Sequence, residues 1–265
     1  MATENIPELV IREVTPDITI FSKPFARFGI LPFGGRSTAV RLSTGDVWVL
    51  ASTPLTPDTK AAIDRLGPVG DGWGRSAPHV FWKEYPEAKV IGVEALIEKK
   101  QAEGLVLDGA YGKDAPDTKY GFEDEIYACY FSGFANKDVA WFHASSKTLI
   151  VADLLFNLPG NEQYSKSKTK AKVPIFGKLD PWGSVHKHFV WGQGKDKACV
   201  LLSFCPSYLG SVEVEVDFGF ELSAMARDAK TVLGWKPERI IMCHGDVIET
   251  DATKAWASAY SKYLA

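Results

Sequence analysis

The chain has 265 residues, of which 46% are hydrophobic and 24% are charged. This balance is typical of a globular protein with an apolar core, and it excludes collagen-like, disordered and disulfide-scaffold proteins. Thirty basic residues against thirty-three acidic residues give a formal net charge of -3, so no overall field favours nucleic acid or an anionic membrane as a partner.

The N-terminal segment has no basic flank followed by an apolar run, and no later segment reaches the ~20 apolar residues of a membrane span. These features predict a cytoplasmic or nuclear protein that does not enter a membrane. Four cysteines without a CxxC pair predict buried thiols rather than disulfides. They are Cys129, Cys199, Cys205 and Cys243.

The first third of the chain is predicted to be rich in strands. Residues 38–43 and 46–51 flank a Ser-Thr-Gly-Asp turn and form a predicted hairpin. The second arm is continuously apolar, which indicates that both of its faces are covered, as in a layered αββα structure. A helix then follows, because Thr56 is a suitable N-cap, Pro57 fits the first helical position and apolar residues recur as far as Leu66.

The remaining elements alternate between strand and helix patterns, with no repeat and no Gly/Ser linker that would divide the chain. We therefore predict a single domain over residues 1–265. The predicted strands are residues 88–92, 125–131, 139–143, 148–152 and 239–243, and the predicted helices are residues 93–102, 224–233 and 253–264.

Two predicted strand ends are followed by side chains of types that can bind metals. Asp153 follows the apolar run of residues 149–152, and His244 follows the apolar run of residues 240–243. With their flanks, Ala-Asp-Leu-Leu-Phe and Cys-His-Gly-Asp, these segments resemble two C-terminal motifs of the metallo-β-lactamase-like superfamily. The resemblance implies an α+β fold, a four-layer αββα sandwich. It also implies that Asp153 would bridge metal ions, that His244 would be the last ligand, and that zinc would support hydrolysis.

The other motifs of that superfamily are incomplete here. The region of the first metal motif, HxHxDH, retains at most His79 and Asp71, and Phe134 stands where a Gly-His pair is usual. The resemblance therefore implies a reduced, mononuclear site built from Asp153, His244 and His79. No GxSxG elbow and no phosphate-binding loop occurs, so no nucleotide cofactor is expected.

Two functions follow as hypotheses. The first is a metal-dependent hydrolase with zinc as its cofactor, acting on a small ester or lactone. The second is a non-catalytic protein of the same fold that binds a small molecule or a protein partner. Loss of the metal on changing Asp153 or His244 would separate the two, because only the hydrolase needs these residues as ligands.

The stretch of about residues 159–223 is predicted to be a polar surface excursion containing an atypical insert. His186 and His188 have a spacing that could chelate a metal on a strand, but their polar surroundings favour a surface position. Within the stretch, residues 198–220 are apolar and then alternate between valine and acidic residues. This segment is either a hairpin or lid over the site or the product of a gene-model error.

Overall fold

The computed structural model describes residues 6–27, 29–73, 81–171, 178–194 and 218–265. Its first sheet has five strands in the order β1-β2-β5-β6-β7, and a small hairpin, β3-β4, lies between β2 and β5 in the sequence. These strands are β1 (Val10–Thr15), β2 (Ile18–Lys23), β3 (Ala26–Arg27), β4 (Leu31–Pro32), β5 (Gly35–Arg41), β6 (Val47–Leu50) and β7 (Val69–Trp73).

The second sheet has four strands in sequence order, and its last pair is parallel. It consists of β10 (Ile126–Phe131), β11 (Asp138–His143), β12 (Thr148–Val151) and β13 (Arg239–Met242), while β8 (Ile91–Val93) and β9 (Gly109–Tyr111) form a separate parallel pair. In the register of the last pair, Val151 lies opposite Met242. The chain therefore leaves β12 and β13 side by side, at the same edge of the sheet.

Helices cover the outer face of each sheet. The interior between the sheets is apolar, and there the rings of Trp48 and Trp141 lie 5.4 Å apart. On the outer faces, Ile63 packs on the first sheet and Trp256 on the second. This layering confirms the predicted αββα sandwich. The helices are α1 (Pro57–Leu66), α2 (Phe81–Glu84), α3 (Ile97–Ala102), α4 (Ser184–Gln193), α5 (Phe218–Gly234), α6 (Ala252–Ala259) and α7 (Ser261–Leu264).

The predicted elements agree closely with these bounds where the local pattern is strong. The Thr56 side chain caps α1 by accepting from the backbone N–H of Thr59. By contrast, the single helix predicted over residues 253–264 is interrupted at Tyr260. The Tyr260 ring stacks on Trp256 at 4.2 Å and its hydroxyl donates to the Leu154 carbonyl, so tertiary packing fixes the break.

The stretch of residues 159–223, predicted to be a surface excursion, has both exposed and buried side chains where the structure describes it. Gln163, His186 and Val190 are all buried there. Residues 218–220, the end of the proposed lid segment, lie in helix α5, and the rest of that segment lies outside the described residues. Within the described part of the chain, no helix is long and apolar enough to cross a membrane.

Candidate functional site

Asp153 and His244 meet where β12 and β13 end. Each residue comes two positions after a paired strand residue, Val151 and Met242, so the parallel register brings them to the same height. Asp153 Oδ1 lies 3.4 Å from His244 Nε2, and the two side chains are 20% and 15% exposed. The pair is thus held at the edge of the sheet and remains accessible from outside.

The His244 imidazole has a fixed orientation and tautomer. Its Nδ1 lies 2.6 Å from the carbonyl oxygen of Gly34. Because a carbonyl only accepts hydrogen bonds, Nδ1 must carry the proton, and in the neutral ring Nε2 then presents its lone pair. This lone pair faces Asp153, and a backbone carbonyl on the second nitrogen is the usual arrangement around a metal-binding histidine.

Three phenyl rings surround the same imidazole. Phe25 stacks on it at 6.1 Å, and Phe33 and Phe156 approach it edge-on at 5.9 and 5.4 Å. Phe156 is buried, whereas Phe25 is 45% exposed. These rings limit the access of water to the ring faces and leave the Asp153 side as the polar opening.

The backbone on either side of His244 is held by a buried arginine. Arg36 donates from Nη1 to the carbonyls of Met242 and Gly245, both at 2.7 Å. Burial lowers the pKa of Arg36, and the neighbouring Glu162 carboxylate, which accepts from Nη2 at 3.2 Å, opposes that shift. The turn that carries His244 is therefore tied to the first sheet from inside the protein.

Two glycines allow the backbone near His244 to pack closely against neighbouring segments. Gly34 has φ +71, and a Cβ there would meet the side chain of Gln163. Gly245 has φ +103, and a Cβ there would lie 2.2 Å from the carbonyl oxygen of Asn157. Gln163 itself bridges the turn, since Nε2 donates to the Cys243 carbonyl and Oε1 accepts from the Gly245 N–H. Gly245 is thus needed for the conformation of the turn, and it contributes no side chain to the site.

The loop between β10 and β11, together with the first residue of β11, holds Asp153 from the other side. The buried Asp138 carboxylate accepts the backbone N–H of Asp153 at 2.7 Å. The exposed Asn136 donates from Nδ2 to Asp153 Oδ2 at 3.2 Å. Neither residue was predicted from the sequence; the only available signal was their polar character at a turn directly before an apolar strand.

The structure thus brings together two of the three predicted ligands. His79, the third, lies outside the described residues. Phe134 is fully buried in the helix-covered core of the second sheet. Across the residues that the structure does describe, no group of three or more His, Cys, Asp or Glu side chains is arranged to hold a metal ion.

His186 differs from its predicted surface position on a strand. It lies on helix α4 and is fully buried, and its Nε2 accepts the backbone N–H of Phe156 at 3.0 Å. Burial lowers the pKa of His186 to about 4. His188, on the same helix, is exposed, so the two histidines do not form a chelating pair.

The cysteine prediction is confirmed for the two cysteines within the described ranges. Cys129 and Cys243 are free and buried, and burial raises the pKa of each thiol to about 12. Although Cys243 directly precedes His244, a thiol with so high a pKa is a poor nucleophile and a poor metal ligand near neutral pH. Cys199 and Cys205 lie outside the described residues.

No family model matches this sequence, and no curated protein matches it. The fold does match solved structures. A metallo-β-lactamase from Erythrobacter litoralis is 11% identical with a TM-score of 0.59, covering 98% of this chain and 97% of that one. One from Pontibacter korlensis is 11% identical with a TM-score of 0.53, covering 96% and 98%. One from Hirschia baltica is 8% identical with a TM-score of 0.54, covering 95% and 97%.

At such low identity these similarities establish the fold alone. The chain therefore has a metallo-β-lactamase-like α+β fold, as its two strand-end motifs predicted.

Proposed function

We propose that this protein is a metal-dependent hydrolase with one zinc ion held by Asp153, His244 and His79, acting on a small ester or lactone. The observation that carries the proposal is the pairing of a carboxylate oxygen with an imidazole nitrogen at 3.4 Å. The assignment of His79 rests on the sequence motif.

The separation of the two donors agrees with zinc coordination. Zinc binds histidine nitrogen at about 2.0–2.1 Å and carboxylate oxygen at about 2.0–2.2 Å, so two such ligands in a tetrahedral site lie about 3.4 Å apart. The separation in the protein exceeds the usual N–H···O distance of about 2.7–3.2 Å. With Nδ1–H committed to the Gly34 carbonyl, a neutral His244 would offer the Nε2 lone pair beside the Asp153 carboxylate, and one cation could bind both groups.

A bound zinc would lower the pKa of a coordinated water and polarise the carbonyl of the substrate. The residues of the chain would orient the His244 ligand and keep water away from the faces of its imidazole. Gly34 holds the imidazole so that Nε2 faces Asp153, and Phe25, Phe33 and Phe156 shield the ring. The half-exposed Phe25 and the exposed Ile30 of the same hairpin offer apolar surface for the apolar part of an ester.

The proposal is tested by measuring the zinc content of the extensively dialysed full-length protein, offered zinc and freed of excess. We expect about one zinc per chain in the wild type and less than a tenth in Asp153→Ala, His244→Ala and His79→Ala. Asp124→Ala and His188→Ala are matched controls, since both side chains are exposed, and they should keep the metal. Hydrolysis of a panel of aryl esters and lactones should be lost with the zinc.

A wild-type protein that holds no zinc under these conditions would overturn this proposal. It would favour the second candidate, a non-catalytic protein of this fold that binds a small molecule or a protein partner. One observation favours that candidate: over the described residues, only two donors converge. In that case Asp153→Ala and His244→Ala should retain both stability and partner binding.

A further inference from the structure

The loop that joins β10 and β11 has a fixed conformation and contacts Asp153 through Asn136. Its first turn closes with a hydrogen bond from the Phe134 N–H to the Phe131 carbonyl, and its second with one from the Lys137 N–H to the Phe134 carbonyl. Lys137 has φ +50, a left-handed conformation that costs an L-residue about 1–2 kcal/mol. Such conformations persist where the surroundings fix them, often beside functional groups.

Two anchors compensate for that conformation. The buried Phe134 ring holds the middle of the loop in the core, and the Lys137 ammonium contacts the Ser132 carbonyl. Asn136 and Asp138, on either side of Lys137, are thereby placed beside the residue that follows β12. The loop and the first residue of β11 thus supply these two contacts to Asp153.

Those two contacts constrain different parts of Asp153. Asp138 accepts its backbone N–H at 2.7 Å and, with its other oxygen, the Val139 N–H at 2.8 Å. Asn136 donates to Oδ2 at 3.2 Å, while Oδ1 faces His244 at 3.4 Å. The amide therefore favours one rotation of the carboxylate, and it does so without adding a charge.

We propose that Asn136 is a positioning residue that makes Asp153 present a single oxygen, Oδ1, to a cation shared with His244. The inference rests on the proposed function for its metal but not for its geometry. A carboxylate that uses one oxygen suits four-coordinate zinc, whereas a carboxylate turned to use both oxygens suits larger coordination numbers. Without Asn136 the carboxylate loses the hydrogen bond to Oδ2 that holds this rotation, so zinc would meet a less well preformed ligand.

The test compares the wild type with Asn136→Ala, Asn136→Gln and the control Gln101→Ala, which removes an exposed amide from helix α3. Asn136 is itself exposed, so the variants should fold. We expect about tenfold weaker zinc affinity in Asn136→Ala, within the 10–100-fold range of outer-shell partners. Asn136→Gln, which keeps the amide donor, should recover part of the loss. The cobalt-substituted alanine variant should show a weaker, less tetrahedral visible spectrum.

Crystal structures of the metal-free wild type and Asn136→Ala provide a readout that needs no metal. We expect the Asp153 carboxylate to turn away from His244 Nε2 only in the alanine variant. If the wild type binds no zinc, the proposed function fails, while a turned carboxylate still supports the role of Asn136. An unturned carboxylate, or unchanged zinc affinity with an unchanged cobalt spectrum, overturns the inference.

Discussion

The buried His186 should make the protein less stable as the pH falls below neutrality. Its Nε2 accepts the backbone N–H of Phe156, so the neutral ring must carry its proton on Nδ1. Protonation would place a second N–H against the Phe156 donor and a positive charge in a site with no exposed surface. Both effects oppose the charged form in the folded state, in agreement with the lowering of the His186 pKa to about 4.

The sign and size of the effect follow from the two pKa values. In the unfolded chain His186 binds a proton near pH 6.5, whereas in the folded chain it does so near pH 4. Between these values the unfolded state holds more protons, so the free energy of unfolding falls as the pH is lowered. The lowered pKa of His186 changes the free energy of unfolding by about 3 kcal/mol in full, and about 2 kcal/mol of this should be lost between pH 7 and pH 4.5.

The assay is urea unfolding at steps from pH 7 to pH 4.5, with His186→Gln as the variant and His188→Gln as the control on the same helix. Since glutamine does not titrate, the variant should lose about 2 kcal/mol less than the wild type over this range. A loss of stability in His186→Gln that is the same at every pH does not affect the test, because the change in the free energy of unfolding with pH is what is compared. Parallel profiles for all three proteins would refute the argument, and His188→Gln should follow the wild type.

Three further substitutions test the packing around the site by urea unfolding. Gly245→Ala should lower the free energy of unfolding by more than about 2 kcal/mol, because residue 245 has φ +103 and the new Cβ would meet the Asn157 carbonyl. The control Gly104→Ala, at φ +81 with open space around the new Cβ, should lower it by only about 1 kcal/mol. Equal losses in the two variants would contradict this prediction. Thr56→Ala should cost about 1 kcal/mol through loss of the α1 cap, and an unchanged midpoint would count against the cap. Phe134→His should lower the free energy of unfolding by about 2 kcal/mol or more, because Phe134 lies in the core. The same variant should leave the zinc content per chain unchanged. A gain of zinc would mean that position 134 faces the site.

The sequence was sufficient for the fold because its local patterns and its tertiary arrangement agree. Thr56 and Pro57 define the start of α1 by capping chemistry alone, and the apolar runs before Asp153 and His244 end where the strands end. The sequence did not predict the interruption at Tyr260, because its cause is a long-range hydrogen bond to Leu154. Such a contact leaves no trace in the periodicity of a helix.

The candidate site could be predicted only in part, for the same reason. Asp153 and His244 were found because each follows an apolar strand, whereas Asn136 and Gly34 act through contacts with residues distant in sequence. The polar residues around His186 in the sequence predict a surface position, but in the folded protein the side chain is buried. Its hydrogen-bond partner, Phe156, comes from another segment of the chain.

Most of the structure around His244 fixes backbone and ring orientation. Arg36, Gln163 and Gly34 hold the turn and the tautomer of a single imidazole, while the loop with Asn136 and Asp138 fixes the carboxylate opposite. Buried polar contacts such as those of Arg36 cost desolvation free energy, so on stability alone apolar packing would serve as well. Their convergence on one nitrogen and one oxygen supports the proposal that the functional site lies at this edge of the sheet.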